Sequence, residues 1–66
     1  MNIRINGRDE KIGKAANIAE LISDKGLSPA RVVVEHNLLI VPQEEWVRTI
    51  LKEDDNIEIV SFVGGG

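Results

Sequence analysis

The first five residues alternate, with Met1, Ile3 and Ile5 on one side of the chain and Asn2 and Arg4 on the other. This two-residue period is that of a strand with one face on a core. Asn6-Gly7 follows, a pair that tolerates the positive φ angles of a tight hairpin turn. The pattern predicts a strand over residues 1–5, a turn, and a returning strand over residues 8–12. That second strand is weakly patterned: if Ile12 points inward, the same period sends Glu10 inward too. An inward charge suits an edge strand, where it discourages unwanted pairing.

The period then lengthens. Ile18, Leu21 and Ile22 fall on one helical face, and Asn17 precedes Glu20 by the spacing of a capping box. A helix is predicted over residues 18–25. Gly26 is placed for the left-handed residue after a helix, Leu27 can fold back on the last turn, and Ser28-Pro29 stops continuation. Val32-Val33-Val34-Glu35 reads as a third strand through its β-branched side chains. Asn37 allows a turn, residues 38–41 form a short extended piece, and Pro42 places that piece at an edge or a strand end. Residues 43–51 are predicted as a helical turn or two, with Trp46, Val47, Ile50 and Leu51 inward and Glu44, Glu45 and Arg48 in water. Residues 52–56 make a polar turn, and a last strand over residues 57–63 sets Ile57 and Ile59 against Glu58, Val60 and Phe62. The implied class is α+β: a mixed sheet of four to five strands, one main helix packed on one face, and a short second helix.

Composition narrows the chemistry. With 66 residues the chain is expected to form one domain, folded over residues 1–63 and ending in a glycine tail over residues 64–66. It contains no cysteine, so disulfides, thiol nucleophiles and cysteine metal sites are excluded. It also lacks tyrosine and has one histidine, which leaves no inventory for an enzyme. The net charge of −3 disfavours a nucleic-acid partner, because phosphate binding needs a basic surface. No apolar run approaches the ~20 residues of a membrane span and the first residues lack a signal-peptide layout, so a soluble cytoplasmic chain without a membrane partner is expected. Glu53, Asp54 and Asp55 lack the spacing of a calcium loop and read as a solvated turn. His36 stands beside a turn as a surface or half-buried packing residue. No metal site is expected.

Two features remain for function. The chain closes on Gly64-Gly65-Gly66, which is either an idle terminus or a reactive one. In the second reading a partner activates the carboxylate of Gly66. Gly64 and Gly65 suit threading into a narrow channel because they lack Cβ, and three extended residues reach about 10 Å. The other feature is the sheet face opposite the helix. If Ile57 and Ile59 point to the helix, Val60 and Phe62 point away from it, and with Val33 and Val63 they form a candidate docking patch.

Several stretches together resemble the ThiS family of sulfur carriers. They are Asn6-Gly7 after the first strand, Ile40-Val41-Pro42-Gln43-Glu44-Glu45-Trp46 in the middle, and Asp55-Asn56-Ile57-Glu58-Ile59-Val60 leading to Phe62-Val63-Gly64-Gly65-Gly66. The resemblance covers essentially the whole chain and implies a β-grasp, ubiquitin-like fold with the first and last strands parallel at the sheet centre. It implies that a ThiF-like adenylating enzyme uses ATP to activate Gly66, that a sulfur donor protein converts it to a thiocarboxylate, and that a ThiG-like thiazole synthase receives the sulfur. The carrier itself would bind no cofactor. A chain without a thiol can carry sulfur only on that carboxylate. Alternatives are another thiocarboxylate carrier, such as a MoaD-like molybdopterin synthase subunit or one for tRNA thiolation, and a TGS-type β-grasp module that binds RNA or protein. Two positions depart from the family pattern: Leu38 stands where glycine is usual after Asn37, and Asp54 where glycine commonly precedes the acidic residue of the last turn.

Overall fold

The computed structural model describes residues 1–62. Strand β1 (Asn2–Ile5) turns through Asn6 and Gly7, at φ 52° and 82°, into the antiparallel β2 (Arg8–Lys11). Helix α1 (Ile18–Asp24) crosses one face of the sheet, and a 3-10 turn (Pro29–Arg31) leads into β3 (Val32–His36). Then come β4 (Leu39–Val41), a second 3-10 segment (Gln43–Arg48) and β5 (Asn56–Ser61). The sheet order is β2-β1-β5-β3-β4, with β1 and β5 parallel at the centre and all other pairs antiparallel. This is the expected mixed sheet. Among the described residues no helix is long and apolar enough to cross a membrane.

The core lies between the sheet and α1. Ile3, Ile5, Val32, Val34, Ile57 and Ile59 supply the sheet side, and Ile18, Leu21 and Ile22 the helix side. Fully burying one such side chain contributes roughly 1.5–3 kcal/mol, so the helix is held by packing more than by propensity. Its ends follow the sequence closely. The Asn17 side chain accepts from the Glu20 amide at 2.8 Å, while the Glu20 carboxylate accepts from the Ala16 amide at 2.8 Å, one residue earlier than the usual reciprocal partner. At the far end Gly26 has φ 70°, its amide bonds the Ser23 carbonyl at 3.0 Å, and the Leu27 amide bonds the Ile22 carbonyl at 3.2 Å. These two bonds make a Schellman closure. Glu10 on the edge strand β2 does turn to the helix side, where Lys25 Nζ stands 2.9 Å from its carboxylate.

Three expectations need correction. The short second helix after Pro42 is a 3-10 segment that stops at Arg48, short of the expected residues 43–51. With three residues per turn, Trp46 points inward and donates its ring N–H to the Val41 carbonyl at 2.9 Å, whereas Val47 is 62% exposed. The backbone is extended again at Thr49, so neighbours alternate: Leu51 is buried and Ile50 is exposed. Met1, expected beside Ile3 on the inner face, is exposed, and it lies ahead of β1, which begins at Asn2. The carboxylate of Asp55 is buried rather than solvated.

Candidate functional site

The last strand is held differently along its length. On one side β1 pairs with β5 only at Arg4–Asn56 and Ile5–Ile57, because β1 ends in its hairpin turn. Beyond that point the Asn6 side chain takes over: its Oδ1 accepts from the Ile59 amide at 2.7 Å and its Nδ2 donates to the Ile59 carbonyl at 3.2 Å. On the other side β3 accompanies β5 as far as Val32–Ser61, and the Phe62 amide then donates to the Arg31 carbonyl at 2.7 Å. The chain is thus anchored up to residue 62. Asn6 reads in the sequence only as a turn residue, and the Pro29–Arg31 turn that presents the Arg31 carbonyl has no apolar period to announce it.

Val60 and Phe62 lie where the alternation puts them, away from the helix, at 56% and 54% exposure. Val33 stands directly opposite Val60 in the β3–β5 ladder and is half-buried. The structure adds Ile40, 66% exposed on β4 and opposite Glu35. The sequence holds a signal for it, since Val41 faces inward opposite Val34 and its neighbour must face outward. Glu35 and Glu58 are paired across the same face. The expected tail residues Gly64, Gly65 and Gly66, and Val63 of the patch, lie outside the described residues.

A second polar cluster sits at the opposite end of β5. Asp55 accepts from the Lys52 amide at 2.8 Å and from Asn37 Nδ2 at 3.2 Å, and its Oδ2 is 2.9 Å from His36 Nε2. Asn37 also accepts from the Asn56 amide at 2.9 Å. Burial works to raise the Asp55 pKa, but the hydrogen bonds from His36, Lys52 and Asn37 and the attraction to His36 outweigh it and hold the carboxyl below its ordinary value. These three partners join the end of β3 and the β3–β4 turn to the start of β5, so the cluster is a clamp. Among the described residues no group of three or more His, Asp or Glu is placed to hold a metal ion.

The turns explain the two unusual residues. Leu38 and Asp54 have φ 76° and 68°, the left-handed region that favours glycine. Asn37 at φ 51° and Leu38 form the two-residue β3–β4 turn.

A model of the ThiS family matches residues 3–66. The sulfur carrier protein ThiS of Bacillus subtilis is 38% identical over 65 residues, covering 97% of this chain and 98% of that protein. A thiazole synthase of Paramagnetospirillum magneticum is 33% identical over 66 residues, and the chain spans only 20% of its length. The crystal structure of the thiamine biosynthesis protein ThiS from Geobacter metallireducens superimposes with a TM-score of 0.83 at 33% identity, with 100% of both chains covered.

Proposed function

Because the chain belongs to the ThiS family, we propose that it is a sulfur carrier of thiamin biosynthesis that bears its sulfur on the carboxylate of Gly66. The observation that supports this most is that the family match runs through residue 66, so the glycine tail is part of what is shared. The carrier acts as a co-substrate, and its partners do the catalysis.

The chemistry follows from the inert carboxylate. An adenylating enzyme joins it to AMP from ATP with release of pyrophosphate, which supplies a good leaving group. Hydrosulfide released by a donor protein then attacks the carbonyl, the bond from that carbon to AMP breaks, and loss of a proton leaves a thiocarboxylate and free AMP. Gly64 and Gly65 let the tail enter a narrow nucleotide site. Ordering them opposes binding by roughly 1–2 kcal/mol per residue, a loss that docking of Val33, Val60 and Phe62, with Val63, offsets. The similarity to one-fifth of a thiazole synthase supports that enzyme as the recipient.

Incubation with the matching adenylating enzyme, ATP and a sulfur donor is expected to change the intact mass by exchange of one oxygen for one sulfur. An unchanged mass, with the same enzyme active on an established carrier, overturns the reading.

A further inference from the structure

The uncovered sheet face holds a charge arrangement that folding leaves unresolved. Glu35 of β3 and Glu58 of β5 are directly opposed in the antiparallel ladder, and like charges in that position destabilise a sheet. Both side chains are half-buried, and neither takes part in an ion pair among the described residues. Arg4, the nearest cation in register on β1, is turned to Asp9 at 3.4 Å. Around the two carboxylates the face is apolar: Ile40 lies opposite Glu35, the Val33–Val60 pair is two residues along, and Phe62 lies beyond.

We propose that this face is completed by a partner protein whose matching surface is apolar and carries an arginine that seats between Glu35 and Glu58. A wholly apolar partner would strip water from two carboxylates without compensation, which costs more than the apolar contact returns. A guanidinium resolves both problems at once. Its planar fork offers donors to two carboxylates, and its stem lies along apolar neighbours such as Val60 and Ile40. Phosphates are repelled by the pair, and two carboxylates fall short of the oxygen set that a hard divalent cation takes. The pair therefore selects which apolar surface may dock. Only the identity of the partner, the adenylating enzyme, rests on the carrier reading.

Two measurements test this. The isolated chain is titrated in an NMR experiment with acetyl-Phe-Arg-amide, with acetyl-Phe-Gln-amide and with magnesium ion. The arginine peptide alone is expected to shift the Glu35 and Glu58 carboxyl signals and the Val60 methyls. No response, or an equal response to the glutamine peptide or to magnesium, overturns the proposal. Separately, a double variant with Glu35→Gln and Glu58→Gln is assayed with the adenylating enzyme. We expect an unchanged or higher Tm, a KM for the carrier raised at least fivefold at unchanged kcat, and a flatter dependence of KM on salt. An unchanged KM overturns the proposal. If the unmodified chain is not activated at all, the carrier reading falls, and the peptide titration decides the present proposal alone.

Discussion

Leu38 is the residue least suited to its own position. It combines φ 76° with 80% exposure, so it bears left-handed strain of roughly 1–2 kcal/mol without packing in return. Leu38→Gly is expected to raise stability by up to about 1 kcal/mol, the strain relief less glycine's greater loss of chain entropy, read as a higher urea midpoint. Asp54→Gly should gain less, because aspartate tolerates the region better. Both sites are visible in the sequence as departures from the family's glycines. Asp55 is the opposite case. Its folded pKa is depressed, so its stabilisation is complete above the ordinary carboxylate value of about 3.9 and is lost as pH falls through the lower folded value. Asp55→Asn should therefore cost about 1–3 kcal/mol near neutrality, with the gap to the unmodified chain narrowing on acidification in denaturation curves taken across that range. Nothing in Glu53-Asp54-Asp55 distinguishes the third acid; two of its partners, His36 at the end of β3 and Asn37 in the following turn, come from far along the chain.

Among the elements, those with a strong period and a chemical stop were legible. Helix α1 begins at Asn17 and closes at Gly26 because both ends satisfy backbone groups locally. Asn17→Ala should lower stability by about 1 kcal/mol, measured by thermal unfolding, and the tie of Ile18 to the Thr49 carbonyl at 3.2 Å should keep the helix in place. The segment after Pro42 was not legible in detail. Trp46, Val47, Ile50 and Leu51 fit an α-helical face on paper, but the 3-10 winding and the return to extended backbone split them two in and two out. Six residues can hold one large anchor in either winding, and the ring N–H reaching Val41 selects this one.

For the molecule as a whole, the helix packs on one face, no described element covers the other, and the end of β5 lies beside that second face. Phe62 connects the two. Being 54% exposed, it adds little to folding, so Phe62→Ser is expected to change stability by no more than about 0.5 kcal/mol while raising the KM for the carrier severalfold in the adenylation assay. Equal losses in folding and in activation would make Phe62 a structural residue. The chain keeps its acidic pair and its apolar patch on that one face, so the proposed docking would draw on both.

The sequence by itself determined the order of elements, the helix ends, the edge character of β2, the outward placement of Val60 and Phe62, and the family. All but the family depend on periods and on caps that act within a few residues, and the family rests on a resemblance that runs the length of the chain. Only the tertiary structure decided that Asn6 braces Ile59, that Arg31 anchors Phe62, that Asp55 is buried against His36, and that Glu35 faces Glu58 beside Ile40. Each of these joins residues far apart in the chain, and strand register, which sets them side by side, depends on how the whole sheet packs against its helix.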